Sequence, residues 1–190
     1  MPVVSAGKTF SDIQGHANQQ AIEALAARAI INGDTPEQFA PDRTMTRAEF
    51  ATIVTKALGL TAKASGAFDD VAASAWYAPY IGTAYEKGIV KGTGANRFSP
   101  NASITREEAA VMVARAASLC GMETSLTETA VRDMLAQFTD YTQCADWSKE
   151  SLAFCYQEDI LSQDDLEIQP QTAIKRCEIA EMIYRMLRCV

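Results

Sequence analysis

Ile104-Thr105-Arg106-Glu107-Glu108 is the stretch that most constrains the fold, because the chain repeats it. Met45-Thr46-Arg47-Ala48-Glu49 stands fifty-nine residues earlier, and the less faithful Ile174-Lys175-Arg176-Cys177-Glu178 stands seventy residues later. Thr105 and Glu108 are three apart, ahead of the apolar series Ala109, Met112, Val113, Ala116. A threonine oxygen at the first position accepts from the amide three residues on, and the carboxylate there reaches back, so the two threonine copies open helices with capping boxes, while in the third Lys175 replaces the capping threonine. The cap does not need the arginine, which puts a cation at a helix end already made positive by the macrodipole. Each arginine therefore calls for an anionic partner.

Around each copy the same order of features recurs. Phe10-Ser11-Asp12-Ile13 precedes a helical pattern predicted over about 17–32, which Gly33 ends. A turn at Phe39-Ala40-Pro41-Asp42 follows, and then a helix striped by Phe50, Ile53, Val54, Ala57 and Leu58 that stops at Gly59. Phe68, Asp70, Trp76, Gly92, Phe98, Pro100 and Gly121 take the corresponding places in a second unit, whose first helix is striped by Ile81, Ala84, Tyr85, Gly88 and Ile89. Phe138, Asp140, Trp147, Gln163 and Pro170 do so in a third. The units run 8–60, 66–121 and 138–190. The inserted stretch 122–137 carries a further short helix, with Ser125 and Glu128 in a capping pattern and Val131, Met134, Leu135 and Phe138 at helical spacing. Units of this size are marginal alone, so the expectation is one compact all-α domain in which three helix-loop-helix repeats share a core.

Composition narrows the function classes. The net charge of -7 and pI near 4.8 argue against a nucleic-acid surface. They do not exclude an anionic ligand, since a few arginines at a protected site act within a Debye length of about 8 Å. No apolar run approaches a membrane span, which argues against membrane insertion, and the opening Met1-Pro2-Val3-Val4-Ser5 is too short and polar for a signal peptide. A cytosolic chain and a module of a longer exported protein are both compatible with that. Five cysteines at 120, 144, 155, 177 and 189, with His16 the lone histidine, speak against a metal site. They read as small buried side chains in helices, with one disulfide between Cys144 and Cys155 as the alternative. No cofactor is called for, and Lys91-Gly92-Thr93-Gly94 lacks the strand and the lysine-hydroxyl tail of a phosphate loop, so the reading is of a non-enzyme.

The order F-x-D, an aromatic about six residues on, a glycine after the first helix, F-x-P and then [MI]-T-R-x-E resembles the S-layer homology repeat. The resemblance covers about residues 8–190, and Phe-to-Arg spacing is thirty-seven residues in the first unit and thirty-eight in the others. It implies a pseudo-threefold module, with the three second helices as a central bundle and the rest projecting as three prongs. It also implies an extracellular location, at the cell wall or S-layer, within a larger exported protein. The implied activity is non-covalent anchoring, through grooves between prongs that bind an anionic wall glycan bearing pyruvylated N-acetylmannosamine. By position, the implied ligand contacts are Arg47, Arg106 and Arg176, Asp12, Asp70 and Asp140, Trp76 and Trp147, and Gly33 and Gly92. His16, Lys175 and Gln163 depart from the pattern.

The residue chemistry suits that role: a guanidinium at a helix N-terminus for a fixed carboxylate, an indole for the C–H face of a sugar, aspartate for hydroxyls, glycine for close approach. Each also has a structural explanation. The aspartates and arginines fit ion pairs tying loop to helix, the tryptophans fit half-buried wedges, and the glycines fit helix stops. A helical-repeat module for protein interaction, or an S-layer assembly element, is the alternative function.

Overall fold

The computed structural model describes residues 7–63 and 66–190; the opening residues 1–5, read above for a signal peptide, lie outside them. Seven α-helices and two short 3-10 turns make up the regular structure of the described residues: α1 (Gln19–Ala26), α2 (Arg47–Ala57), α3 (Ala78–Glu86), α4 (Arg106–Leu119), α5 (Glu128–Leu135), α6 (Asp146–Gln157) and α7 (Arg176–Cys189). The fold is all-helical, with only isolated backbone bridges beside the helices. No helix among the described residues is long and apolar enough to cross a membrane.

The capping boxes form at Thr46/Glu49 and Thr105/Glu108, where the hydroxyl accepts from the N3 amide and the carboxylate accepts from the cap amide. At α7 the corresponding Lys175 ammonium has no lone pair. Only the return half survives there, from Lys175 N–H to Glu178 Oε2 at 2.8 Å. Gly59 and Gly121 close α2 and α4 with positive φ, in 6→1 and 5→2 amide bonds such as Leu60 N to Thr55 O and Gly59 N to Lys56 O.

The first helix of each unit is shorter than its apolar stripe. α1 ends at Ala26, not near 32, because Ala29 turns left-handed (φ 55) and Ile30 N–H bonds back to Leu25 O at 3.0 Å. Gly88 and Asp159 do the same after α3 and α6. Ile30, Ile89 and Ile160 are buried from the turn and not from a helix. α5 also differs from expectation at its start: Thr127, not Ser125, is the cap, accepting from Ala130 N–H.

α2, α4 and α7 touch one another pairwise, and α3 packs on α2, α6 on α4 and α1 on α7, with α5 against α6. Each outer helix therefore leans on the central helix of the preceding unit, and the first unit leans on the last. At the hub, Ile104 N–H donates to Met45 O, Ile174 N–H to Ile104 O, and Met45 N–H to Ile174 O, at 3.0, 3.0 and 3.3 Å. This three-way cycle gives the pseudo-threefold axis, and all three of its residues are buried. Around it, Phe10 packs on Phe39 and Phe68 on Phe98 at ring centroid distances of 5.5 and 5.4 Å. In the third unit Ile168 replaces the second phenylalanine, and Phe138 meets Tyr156 at 4.4 Å. Fully burying each such ring stabilises by about 1.5–3 kcal/mol.

All five cysteines are free thiols, so the Cys144–Cys155 disulfide does not form. Cys144, Cys155 and Cys177 are buried, while Cys120 and Cys189 are exposed. Burial, with the nearby Asp140 and Glu107 carboxylates, pushes the Cys144 thiol up to about 11.

Candidate functional site

Three corners surround the hub, one where each central helix begins. In each, the first two helical amides donate to the turn of the next unit: Arg47 and Ala48 to Ala102 O and Pro100 O, Arg106 and Glu107 to Thr172 O and Pro170 O, Arg176 and Cys177 to Arg43 O and Pro41 O. These donors are satisfied by protein carbonyls, so the corner offers its side chains and not the helix end.

The recurring aspartates hold the turn that supplies those carbonyls. Asp12 accepts from Phe39 N–H and Ala40 N–H at 2.8 and 2.7 Å, Asp70 from Phe98 and Ser99 at 2.8 Å each, and Asp140 from Ile168 and Gln169 at 2.7 Å each. The second amide in every pair belongs to a non-glycine residue with positive φ directly before proline (Ala40 φ 57, Ser99 φ 58, Gln169 φ 52). That backbone conformation costs about 1–3 kcal/mol, and the carboxylate offsets it. Partial desolvation pushes Asp12 and Asp70 upward, but the paired amide bonds outweigh it and hold both below the usual carboxylate value. None of the recurring aspartates forms the ion pair with a recurring arginine that the sequence allows; Asp70 instead meets Arg97 at 3.6 Å.

The anionic partner of the arginine is instead the capping glutamate of the following unit. Arg47 is 5% exposed; its Nη1 meets Glu108 Oε1 at 2.5 Å, its Nε donates to Phe98 O at 2.8 Å, and it lies 4.9 Å over the Phe98 ring. Arg176, also 5% exposed, donates to Phe39 O and Asn32 O and lies 4.5 Å over Phe39. Its expected partner Glu49 is taken by Arg43 at 2.7 Å.

Arg106 is the odd member. Its Nη2 meets Glu178 at 2.5 Å, yet its buried Nε–H has no acceptor among the described residues, and its side chain is 18% exposed against 6% for Arg47. The place that Phe98 and Phe39 take at the other corners is held in the third unit by Ile168, which has no π face to stack on.

The tryptophans stand outside. Trp76, just before α3, and Trp147, in the first turn of α6, are 61% and 59% exposed, so neither is a wedge. Their helices pack on α2 and α4 respectively, so at the level of elements Trp76 goes with the α2 corner and Trp147 with the α4 corner, where Glu107, next to Arg106, bonds Ala145 and Ser148 on either side of Trp147. At the Arg176 corner α1 packs on α7 and the aromatic place holds His16, half-buried, its Nδ1 accepting from Asn18 N–H at 3.0 Å. Lys175 Nζ there pairs with Asp42 at 2.8 Å.

Gly33 and Gly92 are neither helix stops nor left-handed. A Cβ on Gly33 would meet the Phe10 ring and Thr35 O at 2.4 Å, and one on Gly92 would meet Arg97 O at 2.6 Å. Chain is packed against both glycines. Gln163, in the third unit's place, is exposed and donates to Tyr156 O.

One corner residue escapes sequence reading. Glu107, 6% exposed, accepts from Ala145 N–H at 3.1 Å and Ser148 Oγ–H at 2.9 Å, and so caps α6, the helix bearing Trp147. The matching positions are Ala48 and Cys177, so repetition gives no hint of it.

Comparison with known proteins adds a family. The S-layer homology domain profile matches residues 9–51 and 67–110. The chain is 36% identical over 187 residues to the exoglucanase XynX of Acetivibrio thermocellus, aligning 97% of itself with 17% of that protein. It is 32% identical to the surface-layer 125 kDa protein of Lysinibacillus sphaericus, aligning its whole length with 16% of it, and 29% identical to the S-layer protein sap of Bacillus anthracis, aligning 97% with 22%. The chain thus spans less than a quarter of each of these relatives.

Proposed function

The chain belongs to the S-layer homology family, and from that premise we propose that it fastens a larger exported protein to the bacterial cell surface by binding an anionic wall glycan non-covalently. Relatives that share the module and differ in their named activities, a glucanase and surface-layer proteins, support anchoring as the common element. The functional unit on this reading is the closed triplet 8–60, 66–121 and 138–190, with 122–137 as an inserted arm.

The observation that carries the glycan reading is the asymmetry of the corners. Where α4 meets α6, Arg106 keeps an unanswered Nε–H and partial exposure beside a helix that displays Trp147. A carboxylate fixed on a sugar, such as the ketal of pyruvylated N-acetylmannosamine, suits the solvent-facing part of that guanidinium, and the indole suits the sugar's C–H face. The Trp76 corner supplies the platform with a sealed arginine, and the His16 corner supplies neither. Asp12, Asp70, Asp140, Gly33 and Gly92 act on this reading by shaping the turns beside the ligand. Several corners on one repeating polymer raise the retention of weak single contacts through effective concentration.

The test is co-sedimentation with purified walls before and after chemical extraction of their polysaccharide. Binding is expected to vanish on extraction. Arg106→Ala removes one charge-assisted contact, about 1.5–3 kcal/mol, and is expected to weaken binding about ten- to hundredfold while thermal unfolding stays near wild type. Undiminished binding to extracted walls would overturn the reading in favour of a protein partner.

A further inference from the structure

The cleft between α5 and α6 lies outside the threefold plan, because only the third unit has an inserted helix to make it. It is an open groove of about 420 Å³, within the range of about 300–1,000 Å³ typical of small-ligand sites. Leu126, Val131 and Leu135 give it a saturated wall, and Tyr141, 37% exposed, gives it an aromatic one. The rim is polar but largely self-compensated: Lys149 pairs with Asp146 at 2.6 Å, Arg132 with Asp133 at 2.7 Å, and Glu150 accepts from Leu126 N–H at 3.1 Å. Glu128 alone among the rim carboxylates lacks a partner among the described residues.

We propose that this cleft is a second saccharide site, for a neutral N-acetylated amino sugar. Each rim cation sits against a carboxylate and Glu128 adds a negative charge, so an anionic ligand gains little there, whereas Arg106 keeps a guanidinium N–H without an acceptor among the described residues. The saturated wall accepts an acetamido methyl, the Tyr141 ring covers a sugar's C–H face, and the free Glu128 carboxylate accepts from hydroxyls. The carboxylate of Glu150 also fixes the segment leading into α5, so the wall is formed before a ligand arrives. This site stands independently of the ketal reading, because none of its lining residues belongs to the three corners.

The probe is N,N′-diacetylchitobiose, titrated into the intact chain and followed by amide chemical shifts. Saturable shifts are expected around Val131, Leu135, Tyr141 and Lys149. Tyr141→Ala is expected to weaken binding at least tenfold, and Val131→Arg, which fills the cleft from a partly exposed position, to abolish it. Arg106→Ala is expected to leave the titration unchanged while weakening retention on the pyruvylated polymer, so failure of one site does not mimic failure of the other. Shifts that do not saturate, or that survive Tyr141→Ala in a folded protein, overturn the proposal. Equal binding of a charged probe, sialyllactose, overturns its selection for neutral sugars.

Discussion

Asp70 shows how a single side chain makes a corner possible. Its two oxygens hold Phe98 and Ser99 amides, and through them a left-handed residue before Pro100, whose carbonyl in turn receives the Ala48 amide of α2. Because its folded-state pKa is depressed, its contribution is fully present above the ordinary aspartate value near 3.9. It is lost as pH falls through the lower folded value. Stability measured by denaturant titration is therefore expected to fall below about pH 4. Asp70→Asn is expected to cost about 1–2 kcal/mol at pH 7, discounted for partial exposure, and to flatten the acid slope. Gly33 makes a sharper prediction. With a Cβ 2.4 Å from both a ring and a carbonyl, Gly33→Ala is expected to cost about 1–3 kcal/mol in a melting experiment, the turn having to open. The sequence displayed both residues by repetition but suggested ligand chemistry for them, because a carboxylate or glycine looks the same in a string whether its neighbour is sugar or backbone.

Whole helices show where local signals suffice and where they do not. The starts of α2 and α4 were legible because a capping box is contained in four residues, and their glycine stops are equally local. The ends of α1 and α6 were not, because Ala29 and Asp159 enter the left-handed region without the glycine that marks it, while Ile30 and Ile160 continue the apolar stripe from beyond the helix. The pairing of Arg47 with Glu108 was hidden for another reason: it joins two units, and only the anionic character of the partner followed from position. The defective cap of α7 can be repaired. Lys175→Thr restores an acceptor for the Glu178 amide, at the loss of an exposed, solvent-screened ion pair with Asp42 that stabilises little. A threonine cap contributes about 0.5–2 kcal/mol, so the variant is expected to gain up to about 1 kcal/mol, read as a higher Tm.

For the molecule as a whole, the decisive fact is that the ring closes between its first and last units. α1 has its packing partner in α7, Asn18 Nδ2–H donates to Glu181 Oε2 at 3.2 Å, and Met45 completes its amide bond on Ile174. A stack of repeats with open ends would lose one unit and keep the stability of the others; a closed ring loses an interface on both sides of the gap. Removing residues 122–190 deprives α1 of α7, α4 of α6 and the hub of two of its three amide bonds, and exposes Ile22, Leu25, Met112 and Val113, all buried in the intact chain. The fragment 1–121 is therefore expected to lose its cooperative thermal transition and not merely to melt somewhat earlier. Circular dichroism and calorimetry on the two chains check this. A sharp transition in the fragment with a native enthalpy per residue would mean that the units are autonomous, and that the corners, each built from two units, owe nothing to closure.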